Sequence, residues 1–502
     1  METISHLLDG FAVAASPTNL LICLIGAFLG TVIGMLPGLG PINGVAILLP
    51  IAYAMKLPPE SALILLVAVY SGCEFGGRIS AILINVPGDA GAVMTTLDGY
   101  PMAKNGLAGP ALSISAVASF TGAIIATIGI IAFAPILANW ALAFGPAEYF
   151  ALMVLALSCL GGLVGDSLLK AMVGVLIGLM ISCVGIDSNS GVYRYTFDLI
   201  HLSDGIPFIV LVIGLFAVSE LLLMLQGHHG GTKALDVTGR TMFNRKEFAL
   251  TRWTMLRSSV VGFFVGVLPG AGASIASAMT YSMERRMAGK DHCFGEGDVR
   301  GVAAPEAANN ASAYGSLIPM LTLGVPGSGT TAVLIGALTL YNITPGPTLF
   351  QEQPVIVWGL IASLAISSVM LVLMNIPLVR VFVKFLQIPN WLLVPGVAAI
   401  SMVGVYAVHG TTFDLVVGTL LGGFGFLLRA MNFPMAPFIL GFVLGDMMEQ
   451  NLRRALSISN GELGILFASP ISIGLWIAAI AMLLGPRLAK VIDARRKPPA
   501  TA

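Results

Sequence analysis

Residues 107–137 contain no charged side chain, and the stretches 147–164, 168–186, 207–226, 354–388 and 463–485 are nearly as apolar. As a helix, about 20 such residues cross the hydrocarbon core of a bilayer. No water reaches the backbone there, so only helices or a closed barrel satisfy every N–H and C=O. Barrel strands would alternate with period two, whereas these runs are continuous and of helix length. The sequence therefore predicts an all-α polytopic membrane protein with about 11–13 spans or half-spans. Composition agrees: 57% of residues are hydrophobic and 10% charged, against roughly 25% charged in an ordinary soluble domain.

Several function classes drop out at once. Formal charge is zero, which gives no reason to expect a nucleic-acid partner. Cys23, Cys73, Cys159, Cys183 and Cys293 lack metal or redox spacing, and the six histidines are isolated or, as His228 and His229, set in a polar loop. No metal, cofactor or catalytic residue is expected. METISHLLDG lacks the basic start of a cleavable signal, so the apolar run from about Asn19 reads as a retained span. The first 55 residues carry no Lys or Arg, while Lys233, Arg240, Arg245, Lys246, Arg252 and Arg257 crowd a central loop. Arg487, Lys490, Arg495, Arg496 and Lys497 crowd the C-terminus. Positive residues favour the cytoplasmic side, which puts the N-terminus outside and both basic segments inside.

The chain also repeats itself. Residues 30–40 and 262–272 share the frame G-x-x-x-G-x-L-P-G-x-G at an offset of 232, and 76–93 aligns with 315–332 through V-P-G at an offset of 239. The extra seven positions are expected in the polar loop 283–301, opposite the short 55–60. Entered from opposite sides, the two copies are read as inverted-topology repeats with broken helices or helical hairpins, the arrangement of many secondary transporters. The expected organisation is a first half at 1–226, a cytoplasmic connecting loop at 227–257, a second half at 258–485 and a basic cytoplasmic tail at 486–502. Residues 43–55, 79–86, 311–323 and 330–341 read as half-helices or hairpin arms.

A proline removes one N–H and clashes with the preceding turn, and glycine tolerates positive φ, so P-G-x-G ends one half-helix and begins another. The break leaves unpaired N–H groups at a half-helix N-terminus, suited to a carboxylate. Facing carbonyls suit a cation. Backbone of this kind is tolerable at membrane depth only where it lines a cavity or is buried in protein.

GMLPGLGP, AILINVPGDAGAVMTTLDGYPMAKNG, GVLPGAGASIASAMTY, GVAAPEAANNASAYGSLIPMLTLGVPGSGTTAVLIGAL, ITPGPTLF and GFVLGDMMEQNLRRAL resemble the large membrane subunit of the tripartite tricarboxylate transporters. The likeness runs from about residue 20 to 485. It implies a multi-pass carrier of the bacterial inner membrane, working with a small four-span membrane subunit and a periplasmic solute-binding protein. It further implies uptake of an organic anion, typically a di- or tricarboxylate, driven by sodium or protons, with elevator-like movement. Membrane lipid and a second copy in a homodimer are the remaining expected partners. The family's P-G blocks carry over to Pro37, Gly38, Gly40 and Pro41, to Pro87 and Gly88, to Pro269, Gly270 and Gly272, and to Pro326 and Gly327. This chain departs from the family pattern at Arg78 and Asp89, where small and neutral residues are expected.

An anion in transit is best held by backbone N–H groups and neutral side chains, because an unpaired buried charge is costly when the site is empty. Asn43, Asn85, Ser274, Asn310, Ser328 and Thr330 are the candidates beside the breaks, with helix capping as the alternative for each. Arg78, Asp89, Glu306, Asn309 and Thr331 are candidate ion or charge partners. Arg78 is read either as a fork for a substrate carboxylate or as the i, i+4 partner of Glu74. Asp446, Glu449, Arg453 and Arg454 are read as a salt-bridged helix or a docking face for the small subunit. Two rival functions remain: an anion channel, since half-helices also line pores, and a membrane-embedded enzyme, for which H-E-x-x-H and G-x-S-x-G are both absent.

Overall fold

The computed structural model describes residues 2–163, 167–187, 189–226, 235, 240–270, 272–289, 292–386 and 388–496. His228, His229, Lys233, Lys497 and the basic side chains from Arg487 onward lie outside them. Helices make up about 79% of the described residues. Among the described residues six helices are long and apolar enough to cross a membrane, and six shorter apolar ones accompany them. The protein is an all-α polytopic membrane protein.

By packing, the chain divides into two compact units. The first comprises 1–139, 207–268 and 272–427, and the second 140–206, 269–271 and 428–502. Each sequence half contributes to both.

In the first unit, helix Pro17–Met35 starts at Ser16, whose side chain accepts from the N–H of Asn19 with Pro17 at the first turn, a standard start. It packs along Pro59–Ile84, and the fit depends on missing side chains: β-carbons on Gly30 and Gly34 would lie 2.3 Å from Val69 O and 2.2 Å from Cys73 O. Helix Arg245–Val267 packs on Val299–Gly315 in the same manner, Gly262 against Ala308 and Gly266 against Ser312. Gly262 and Gly266 stand 232 positions after Gly30 and Gly34, and Ala308 and Ser312 stand 239 after Val69 and Cys73. The connection carrying the difference is twelve positions from Met287 to Val299, against five from Ala54 to Pro59.

Pro59–Ile84, buried along its crossing window, is about 39 Å long at 1.5 Å per residue. It spans whole, so 79–86 is the end of a full-length helix and not a half-helix, because Gly76 and Gly77 alone do not stop a helix. Segment 311–323 divides into the end of Val299–Gly315 and the short Leu317–Leu323, while 43–55 and 330–341 correspond to Gly40–Ala54 and Gly329–Leu340. Arg245, Lys246, Arg252 and Arg257, read above as loop, stand on a helix. Its start is a capping box in which Asn244 and Glu247 satisfy each other's backbone N–H.

The second unit pairs helices Pro146–Leu163 and Leu168–Ser182 with Met435–Ile458 and Pro470–Arg496. Gly178 and Gly441 let backbones approach there. A two-stranded antiparallel hairpin, Gly185–Ile186 with Tyr193–Arg194, is fastened to Met435–Ile458 through Arg194–Glu449 at 2.7 Å and Arg453–Asp187 at 3.1 Å. The expected Glu449–Arg453 pair forms at 2.5 Å.

Candidate functional site

The prolines and glycines of the repeat motifs interrupt helices where the sequence places them. Gly38 and Gly270 have φ of 87° and 80°, Gly40 and Gly272 of 58° and 68°. Before each V-P-G the helix ends in a left-handed residue, Asn85 at φ 57° and Gly324 at φ 68°, the usual conformation of a helix terminator.

At the second break the helices turn back. Arg257 Nε and a terminal guanidinium nitrogen donate to Glu284, both at 2.9 Å, and Thr254 Oγ1 donates to the same carboxylate. Since 257 and 284 lie at similar distances from the turn, Arg245–Val267 and Gly272–Met287 form an antiparallel hairpin. At the first break, a β-carbon on Gly44 would touch both Ile33 and Cys73. The two P-G segments of the first half also meet: a β-carbon on Gly40 would lie 3.6 Å from Asp89 and 3.7 Å from Gly88 O, and Gly88 packs on the carbonyl of Gly34.

Pro59–Ile84 and Val299–Gly315 run antiparallel at their crossing. Tyr70 OH donates to Ala313 O, Tyr314 OH donates to Ser71 Oγ, and Glu74 has Asn309 and Asp89 as polar neighbours. This crossing collects most of the predicted charge partners. Glu306, fully buried, accepts from Thr95 Oγ1 at 2.5 Å and Ser119 Oγ at 3.0 Å. Asp89 accepts from the N–H groups of Gly91 and Ala92. Asn310 donates to Glu306 O, its own oxygen left unpaired.

Arg78 corrects one expectation. It does not pair with Glu74; it donates to Leu112 O at 2.8 Å, Ser115 Oγ at 2.7 Å and Asn375 Oδ1 at 3.3 Å, and its guanidinium lies over Phe75. The i, i+4 rule describes exposed helix faces, and here neighbouring helices supply better-aligned acceptors. Arg78 is also 1% exposed.

The remaining candidates separate. Asn43 donates to Gly38 O and Leu39 O, capping the carbonyls of the first break, with its own oxygen buried and unpaired. Ser328 and Thr331 form a capping box at the start of Gly329–Leu340, the structural alternative. Thr330, Pro326 and Gly327 are buried, Pro37, Pro87 and Pro269 half-buried, and Asn85 and Ser274 exposed.

Two further acids join this part of the fold, Asp98, which stands beside the V-P-G motif in the sequence, and Glu220, which no motif marks. Asp98, 0% exposed, accepts from the N–H groups of Gly295, Gly297 and Asp298 and from Tyr281 OH, tying the DGYPMA block to the loop before Val299. Glu220 lies over the first break, where a β-carbon on Gly38 would come within 2.4 Å of its Oε1.

Residues 20–440 match the model of the tripartite tricarboxylate transporter TctA family. The chain belongs to the TctA family. It is 39% identical over 497 residues to an uncharacterized 52.8 kDa protein in the TAR-I ttuC' 3' region of Agrobacterium vitis, covering 99% of each chain. It is 40% identical over 230 residues to a protein in the TAR-II ttuC' 3' region of the same organism, covering 45% of this chain and 95% of that one. No solved structure matches. TctA proteins are transporter components, in keeping with a multi-pass membrane protein whose buried helices are broken at matched positions.

Proposed function

We propose that this chain is the large membrane subunit of a binding-protein-dependent secondary transporter. It takes up an organic anion, a di- or tricarboxylate, across the bacterial inner membrane, driven by a sodium or proton gradient. A small four-span subunit and a periplasmic solute-binding protein complete the assembly. The observation that carries the reading is the paired set of left-handed breaks at Gly38 and Gly270, Gly40 and Gly272, and Asn85 and Gly324. Each break frees backbone N–H groups that suit a carboxylate.

The same pairing supports a finer reading, two inverted-topology repeats. In favour are the matched glycine contacts, the antiparallel run of Pro59–Ile84 against Val299–Gly315, and the seven-residue difference between the connections. Inverted repeats let one site face either side in turn. The two packing units, each drawing on both sequence halves, are the natural candidates for moving and fixed parts in an elevator-like cycle.

The test is counterflow. In proteoliposomes holding the complete assembly and loaded with unlabelled acid, a trace of labelled acid outside is expected to accumulate transiently above its equilibrium level. A channel equilibrates the label without overshoot, and that result would replace the carrier reading.

A further inference from the structure

Where helix Gly272–Met287 runs out into the longer of the two matched connections, an open pocket of about 450 Å³ is lined by Tyr281, Ser282, Arg285, Arg286, Gly289 and His292. Its charge is one-sided. Arg285 and Arg286 are exposed, and among the described residues neither makes an ion pair. The acids of the neighbouring structure are committed elsewhere. Glu284 is held by Arg257 and Thr254, Asp298 by Arg300, and Asp98 by three backbone N–H groups and the Tyr281 hydroxyl. Lys290 and Asp291 lie outside the described residues.

His292 adds a directed donor. The N–H of Phe294 donates to His292 Nδ1 at 3.2 Å, so the neutral imidazole carries its proton on Nε2. The His292 and Tyr281 rings each meet Phe294 edge to face, both with centroids 5.4 Å apart. Arg300, clamped on Asp298, covers Phe294 in turn. A helix C-terminus attracts positive side chains through its dipole, which accounts for Arg285 and Arg286 but not for a histidine fixed beside them by a separate loop.

The surroundings mark the pocket's depth. Arg257 meeting Glu284 fixes the register of the hairpin, which sets Trp253, one turn before Arg257, level with the last turn of Gly272–Met287. Trp253 is 57% exposed, with the Arg252 guanidinium over its ring, the placement of a tryptophan at a membrane–water boundary. Met279, 51% exposed, lies seven positions before Arg286 on the same helical face, about 10 Å nearer the hairpin's tip. Positive charge at the boundary above apolar surface matches a phospholipid, and basic pockets at this level bind anionic headgroups.

We propose that Arg285, Arg286 and His292, with the Ser282 hydroxyl, bind a phosphate group carried by an anionic phospholipid. Guanidinium forks suit phosphate oxygens, which accept two N–H bonds at once. A bound headgroup would brace the base of the hairpin that carries Gly270 at its turn. The site does not depend on the transport reading, because binding is measured without transport.

The probes are phosphatidylglycerol, phosphatidylcholine and inorganic phosphate, each titrated at constant ionic strength into the purified full-length chain in neutral detergent while thermal unfolding is followed. A ligand that binds only the folded state raises Tm in a saturable way. Phosphatidylglycerol is expected to raise Tm by about 2–5 °C, and phosphatidylcholine by much less. The rise should vanish in the double variant Arg285→Gln with Arg286→Gln and shrink in His292→Gln. It should survive in Arg245→Gln with Lys246→Gln, which removes charge outside the pocket. Should the first double variant fail to fold, His292→Gln decides alone. An equal rise from inorganic phosphate, lost in the same variants, upholds the phosphate pocket and overturns its lipid source. No saturable rise from any probe overturns the proposal. So does a rise that phosphatidylcholine matches, that the pocket variants keep, or that the Arg245 and Lys246 control loses.

Discussion

At Arg78 a guanidinium lies at membrane depth with hydrogen bonds to a carbonyl, a hydroxyl and an amide on other helices. Its planar fork reaches these at once, which a lysine cannot reproduce. Arg78→Ala removes charge-assisted bonds to Leu112 O, Ser115 Oγ and Asn375 Oδ1. It is expected to cost about 3–5 kcal/mol of stability while the range of acids taken up stays the same. Denaturation in detergent and competition uptake check this; an altered acid profile at normal stability would put the side chain in the substrate's path. The residue scale was only partly legible beforehand. Ser328 and Thr331 sit at capping-box spacing, so their mutual bonds are local and readable. The partners of Arg78 and Asp98 lie 37 and 183 positions away at Ser115 and Tyr281, and the polar neighbour of Glu74 lies 235 away at Asn309; no local pattern encodes such placements.

Between elements, glycine sets the spacing. Gly34 and Gly266 let their helices approach backbone to backbone at Cys73 and Ser312, and a backbone cannot swing aside as a side chain can. Gly34→Val and Gly266→Val should each cost about 1–3 kcal/mol or more. Gly423→Ala, with open space around the added carbon, should be neutral. Melting curves of the three variants check the contrast, and equal losses would discard it. The breaks were legible because P-G-x-G is a local instruction; the return of Gly272–Met287 along Arg245–Val267 was not, since it is fixed by Arg257 meeting Glu284. In the Gly185–Arg194 hairpin, the Ser190 hydroxyl and the Asn189 N–H, with Arg453 beyond them, hold the Asp187 carboxyl down at about 2. A depressed pKa contributes stability that is full above the ordinary value near 4 and lost as pH falls through about 2. Hydrogen exchange at 185–194, normalised for intrinsic rate, should stay flat from pH 7 to about 4 and rise below it. Unchanged protection at pH 2 would remove Asp187 from this role.

As a whole, the molecule keeps little of its chain outside helices. Among the described residues the longest connection joining two helices is the stretch between Ser182 and Phe208, with its small hairpin and a single 3-10 turn. The breaks at Gly38, Asn85 and Gly270 lie between packed helices. On the proposed tripartite reading, capture from dilute solution falls to the solute-binding protein and passage to this chain. Apolar runs made the membrane-spanning class legible at this scale, but the packing units, assembled from distant stretches of both halves, have no signature in any one stretch. With this chain and the small subunit reconstituted in vesicles, uptake of labelled acid under an imposed sodium or proton gradient should stay near background until the solute-binding protein is added outside. Binding protein added only inside should leave it there, because delivery is directional. Full uptake by this chain alone would contradict the division of labour, since its own surface would then have to perform the capture.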